Sequence, residues 1–210
     1  MAADYIRLLI FGGVLRTGDR ISLDEVAGLL GVSRQPVREA MRELTGDDLV
    51  VVEPKRGTFV GRFDEDVVTE HFELFGLIAA RAARRATARR DESMLRRLSD
   101  IHSRAEAAPD AATLTRLSIE FQNVLTVAAG SPRLTTLLRS MNRFVPGEYY
   151  LENIPVAARL ASDTRAGIID ALERGDAEAA SQLTQHQWSA GGQLLVEHLR
   201  SIGVFRSPEP

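Results

Sequence analysis

Apolar residues recur along most of this chain with the period of an amphipathic helix, and the pattern breaks at turn-forming residues. Ile6, Leu8, Leu9, Ile10, Val14 and Leu15 predict a first helix that ends at Gly12–Gly13 or soon after. The stretch "RTGDR" predicts a turn. Ser22, with Glu25 three residues on, has the pattern of a capping box; the helix it opens carries Val26, Ala27, Leu29 and Leu30 and stops at Gly31. Ser33 is placed to cap the next helix, which runs to about Thr45 with Pro36 in its first turn, where a missing N–H costs little. Two short β-rich runs, "LVVVE" and "TFVGRF", flank the turn residues "PKRG" and predict a hairpin.

Beyond Phe63 the chain offers no further strand pair. Helical stretches cover roughly 64–90, 92–106, 111–129, 131–145, 156–174 and 176–202, separated by breaks such as Pro109–Asp110, Gly130 with Pro132, residues 146–155 and Gly175–Asp176. The expectation is a mainly α protein. Residues 1–62 form a winged helix-turn-helix with a small β-hairpin wing, residues 63–205 an all-α antiparallel helical bundle, and residues 206–210 a disordered tail.

Charge changes this picture at one helix. Arg34, Arg38 and Arg42 are spaced by four residues and form a slanting row, opposite a stripe of Val37, Ala40, Met41 and Leu44. Glu39 and Glu43 flank the row, so a salt-bridged face turned to solvent is the plain reading of the helix alone. Its setting favours DNA. A short capped helix precedes it across the turn "GVSR", the arrangement in which the second helix enters a major groove, and the basic turn Lys55–Arg56–Gly57 follows at the hairpin tip. Residues 1–62 hold nine basic and nine acidic residues, and the whole chain has a net charge of −3, so any affinity for a polyanion must come from a local patch.

Composition narrows the remaining classes. The absence of cysteine excludes a disulfide frame and thiolate metal sites. No apolar run approaches a membrane span, and no basic-then-apolar leader opens the sequence, so a cytoplasmic protein without membrane contact is expected. No P-loop, GxSxG elbow, HExxH or GxGxxG turn occurs. A helical-bundle enzyme therefore ranks below a DNA-binding protein.

Residues 18–60, "GDRISLDEVAGLLGVSRQPVREAMRELTGDDLVVVEPKRGTFV", resemble the winged helix-turn-helix of the GntR family of bacterial transcription regulators, FadR-type subfamily. The resemblance assigns DNA contact to Ser33, Arg34 and Arg38 and to the wing residues Lys55, Arg56 and Gly57; Gln35 and Arg42 lie on the same helix and join the candidate set. Asp24 departs from the family, which often has a DNA-contacting arginine at about that place. "LSIEFQNVLTVAAGSPRL" (117–134) and "IIDALERGDAEAASQLTQH" (168–186) resemble the FCD-type effector domain of the same family.

Many FCD domains hold a divalent metal with one aspartate and three histidines. The resemblance puts Ser118, Gln122 and Thr164 at three of those positions, and only His186 matches. A neutral imidazole beside hydroxyls and an amide lacks an anionic ligand, so no metal and no cofactor are expected. The resemblance implies an effector pocket that adds Phe75, Ala79 and Arg143 to these four, with a preference for neutral or largely apolar ligands unless an arginine turns inward. His186 read alone is a hydrogen-bonded packing residue, and His71, His102 and His198 read as surface residues. The resulting expectation is a homodimeric repressor on a palindromic operator, modulated by a small-molecule effector. The alternative is a DNA-binding scaffold whose helical domain only dimerises.

Overall fold

The structure is a computed structural model that describes residues 1–89 and 91–205, without the side chains of residues 147 and 148. Residues 206–210, expected from the sequence to be disordered, lie outside the described residues. Two compact units are present: Met1–Val68 with Phe144–Pro146 and the chain from Val196, and Thr69–Arg143 with Gly147–Leu195.

The first unit begins with α1 (Ala2–Phe11), β1 (Arg20–Ile21), α2 (Leu23–Leu30), α3 (Arg34–Gly46), β2 (Val50–Glu53) and β3 (Gly57–Val60). The Ser22 hydroxyl accepts from the Glu25 N–H at 3.3 Å and fixes the start of α2; Gly31, at φ 63°, ends it. Ser33 stands at the N-cap of α3 without a side-chain cap bond. The apolar faces of α1 and α3 bury Ile6, Ile10, Val37 and Leu44 fully, and α2 buries Val26 and Ala27. The sheet is antiparallel in the order β1-β3-β2, with Val50 opposite Val60 and Glu53 opposite Gly57. The strand β1 pairs Arg20 with Phe59, where the sequence predicted only a turn. Phe11, Phe63, Phe144 and Phe205 form an aromatic cluster, the Phe11 and Phe63 rings meeting edge-on at 4.9 Å. A run of only two residues carries no readable alternation, which is why β1 escapes a period-based reading.

The second unit is helical: it holds most of α4 (Glu65–Arg89) and of α10 (Ala177–Ser201), and α5 (Glu92–Glu106), α6 (Ala111–Ala128), α7 (Pro132–Met141), α8 (Gly147–Asn153) and α9 (Pro155–Arg174) complete it. Side chains at the N-caps set the starts: Asp91 accepts from the Ser93 N–H, Asp110 from Thr113 and Ser131 from Leu134. One core cluster gathers Leu98, Ile101, Leu117, Leu125, Ile168 and Leu172; another gathers Phe75, Ala79, Ala82 and Leu138 against Trp188. Small residues let α10 approach α4 closely, since a Cβ on Gly192 would lie 2.6 Å from the Phe72 Cβ. The helix α8 occupies the 146–155 stretch that the sequence marked as a break. It is held by the Tyr150 hydroxyl, which donates to the Gly191 carbonyl at 3.0 Å.

Candidate DNA-binding face and helical-unit cavity

The α3 helix separates its two chemistries cleanly. Val37, Ala40, Met41 and Leu44 are at most 5% exposed, while Ser33, Arg34, Gln35, Arg38 and Arg42 are all exposed. The flanking acids do not neutralise the row. Glu39 accepts from Gln35 at 3.1 Å, and Glu43 is drawn away by Arg7 of α1, whose Nη2 lies 2.7 Å from Glu43 and 2.6 Å from Asp47. Arg7 is 1% exposed, so this network fastens α1 to the C-terminal half of α3. Among the described residues Arg38 and Arg42 form no ion pair. Arg34 pairs through its Nε with Asp24 of α2.

At the other end of the sheet, β2 and β3 are joined through Pro54, Lys55 and Arg56. Lys55 sits at φ 67°, a conformation that costs a residue with a Cβ roughly 1–2 kcal/mol. Gly57, at φ 125°, is in a region open to glycine, and a Cβ there would meet the Arg20 guanidinium at 3.2 Å. Lys55 and Arg56 are exposed, and Arg56 pairs with Glu53 and lies over the Phe59 ring at 5.7 Å.

Within the helical unit a cavity of about 80 Å³ is lined by Ser118, Ile119, Phe121 and Gln122 of α6, by Asn142 beyond α7, by Arg165 and Ile168 of α9, and by Gln187 and Trp188 of α10. Arg165 is only 2% exposed. Its Nη1 donates to the Ser118 hydroxyl at 3.1 Å, and its Nε is buried with no hydrogen-bond partner. Burial pulls its pKa below the usual arginine value, opposed by the field of Glu106. The Trp188 indole N–H is likewise buried without a partner. Gln122 donates to the Thr126 hydroxyl at 3.2 Å.

Residues 1–60 match the family profile described as bacterial regulatory proteins, gntR family, and residues 66–190 match the profile of the FCD domain. The chain belongs to the GntR family and carries an FCD domain. An HTH-type transcriptional regulator of Mycobacterium tuberculosis is 31% identical over 147 residues, which are 70% of this chain and 60% of that protein. The chain thus spans less than two thirds of the length of this relative. The HTH-type transcriptional repressor RspR of Escherichia coli is 26% identical over 90% of this chain and 83% of its own length. The solved structure of E. coli McbR/YncC shares the fold with a TM-score of 0.69, at 19% identity, covering 93% of this chain and 95% of that one.

In this FCD domain the structure brings two of the residues singled out from the sequence, Ser118 and Gln122, to the cavity. The others lie elsewhere. Phe75 and Ala79 are packed in the cluster around Trp188, the Phe75 and Trp188 rings 4.0 Å apart. Thr164 is buried, and its hydroxyl donates to the Leu160 carbonyl at 2.7 Å. Arg143 and His186 are exposed. In three cases the sequence neighbour lines the cavity instead: Asn142, Arg165 and Gln187. Helical phase could have found Arg165, because it stands on the stripe of Ile168, Ile169 and Leu172 at spacings of three, four and seven. Among the described residues no group of three or more His, Asp or Glu gathers at a metal-binding distance. His71 also differs from its surface reading: it is packed against the Phe72 and Phe75 rings, and burial pushes its pKa down to about 4.

Proposed function

We propose that this protein is a sequence-specific DNA-binding transcription regulator, a repressor that acts as a homodimer on a palindromic operator and is modulated by a small molecule bound in the FCD domain. The observation that carries the reading is the exposed arginine row of α3, backed by a fully buried apolar stripe and stripped of its flanking acids by Arg7 and Gln35. Arginine presents paired donors that match guanine O6 and N7 in the major groove, and Ser33, whose hydroxyl makes no cap bond, is free to serve a phosphate at the helix N-terminus. Lys55, Arg56 and Gly57 would form the wing contact, Gln35 and Arg42 the flanks of the reading helix. RspR, a relative along 90% of this chain, is named a repressor.

The activity is equilibrium binding. An effector with different affinities for two arrangements of the helical domain shifts their populations and so changes operator affinity. The test starts from host-genome fragments selected by the protein, used as probes in gel shift. Arg34→Ala and Arg38→Ala each weaken the selected site by about 1–3 kcal/mol and relax its sequence preference. Lys55→Ala weakens all sequences alike and lowers the salt slope by about 1. Wild-type affinity and preference in both arginine variants would overturn the assignment.

A further inference from the structure

Arg20 of β1 stands opposite Phe59 of β3, so the two side chains share one face of the sheet, while Thr58 and Val60 are buried on the other. The Arg20 side chain leans along β3 from Phe59 toward the hairpin. A Cβ built on Gly57 would lie 3.2 Å from its Nε and 3.6 Å from its Nη2. The guanidinium thus occupies the space that a side chain at 57 would claim, beside the exposed Lys55 and Arg56. The neighbouring acids are engaged elsewhere. Glu53, opposite Gly57, pairs with Arg56, and Asp19 accepts the backbone N–H of Arg16 at 2.8 Å. Arg20 is exposed, and among the described residues its guanidinium has neither an ion pair nor a hydrogen bond.

Resting on the proposed DNA binding of the first unit, we propose that Arg20 is a third basic residue of the wing and pairs with a backbone phosphate of duplex DNA beside Lys55 and Arg56. An anion is called for because the guanidinium is a permanent cation with unengaged donors and no acid at hand. Its paired N–H groups match two oxygens of one phosphate. Phosphate rather than a base edge follows from the direction of the side chain. A base is read by a side chain projecting into a groove, whereas Arg20 spends its length along the sheet and presents its donors against the backbone of Gly57. Packing against β3 also restricts the side chain before binding, which lowers the ordering cost of the contact. Gly57 then has a second use. Besides adopting φ 125°, it leaves the room in which Arg20 lies.

The full chain is titrated in gel shift, over a range of salt concentrations, with a selected host-genome fragment and with a random-sequence duplex. Arg20→Ala is expected to lower the slope of log affinity against log salt by about 1 for each bound protomer, on both probes, as Lys55→Ala does. It weakens both probes by at least about threefold at about 0.1 M salt and leaves the ratio between them unchanged, because a phosphate contact carries no sequence information. Arg20→Lys keeps the charge and most of the slope, and Arg20→Gln loses it as Ala does. Arg96→Ala removes one exposed charge, paired with Glu92, from the helical unit, and it leaves the slope at the wild-type value. This variant separates a contact from a change in net charge. Thermal melting follows the fold of each variant; should Arg20→Ala not fold, the comparison of Arg20→Gln with Arg20→Lys decides. A wild-type slope in folded Arg20→Ala or Arg20→Gln, an equal loss in Arg96→Ala, or a changed ratio between the probes overturns the proposal. A slope lowered by Lys55→Ala but not by the Arg20 variants defeats the Arg20 contact alone, whereas a wild-type chain that binds neither probe defeats the DNA-binding reading itself.

Discussion

Asp24 engages the Nε of Arg34, the first arginine of the exposed row. With Nε occupied, the edge formed by the two terminal nitrogens remains, and that edge is the one that pairs with guanine O6 and N7. On the proposed function, the acid that departs from the family pattern therefore acts on the arginine assigned to base reading rather than on phosphate. Both side chains are more than 60% exposed, so the pair adds little to stability, and its effect lies in restricting the arginine. Asp24→Ala should raise affinity for random-sequence DNA, because a negative charge leaves the surface proposed to face phosphate. The same change should lower the ratio of operator to random binding by about tenfold, within the discrimination of one bidentate contact. Competition gel shifts at fixed salt measure both quantities. An unchanged ratio would separate Asp24 from base reading. Arg7 shows the same economy: it draws Glu43 and Asp47 away from Arg38 and Arg42, while Gln35 engages Glu39, the remaining acid of α3.

At the scale of elements, α4 contains the clearest pH-dependent group of the fold. His71 has its pKa pushed by burial from 6.5 to about 4, so it is neutral in the folded chain and binds a proton more readily when unfolded. A depressed folded pKa means that the unfolded state gains protons as pH falls below 6.5. Stability is therefore fully present above about pH 6.5 and is lost progressively toward pH 4, by up to about 3 kcal/mol for the complete titration. Urea unfolding at pH 7.5 and pH 5 should show this fall, and His71→Phe should remove most of it between those two values. Equal slopes in the two proteins would assign the acid sensitivity to other groups. The sequence made much of this architecture legible. The α3 stripe, the Ser22 and Gly31 boundaries of α2 and the breaks at residues 109–110 and 130–132 all rest on local chemistry. What escaped depends on distant partners. β1 exists because β3 pairs with it, and α8, seven residues between two prolines, is held by its Tyr150 hydroxyl, which donates to the Gly191 carbonyl of α10. Of the cavity, Ser118 and Gln122 were legible from the family pattern, whereas Arg165 and Trp188 were not, since a pattern of ligand positions does not say which neighbouring residue a helix turns inward.

At the scale of the molecule, the charge distribution argues for assembly. The chain carries a net charge of −3, and the segment that holds the arginine row is neutral, so long-range attraction to DNA is weak and specificity must come from close contacts. One recognition helix and one wing supply few of these, and a two-fold symmetric dimer doubles them on a palindromic site. The helical unit offers a surface for such pairing. Leu74 and Leu77 of α4 are 46% and 52% exposed and stand three residues apart, on one face of the helix. Exposed apolar side chains in contiguous array mark association surfaces more often than isolated ones do. Light scattering should therefore give twice the 23.1 kDa mass of the chain, free and on a palindromic fragment. The double change Leu74→Glu with Leu77→Glu should shift the free protein toward monomer and weaken operator binding more steeply than binding to a half-site, because only the full site gains from pairing. A monomer in the wild-type protein, both free and on DNA, would end the dimer proposal. A dimer that survives the double change would move the interface to another face of the helical unit and leave the symmetric reading of the operator intact.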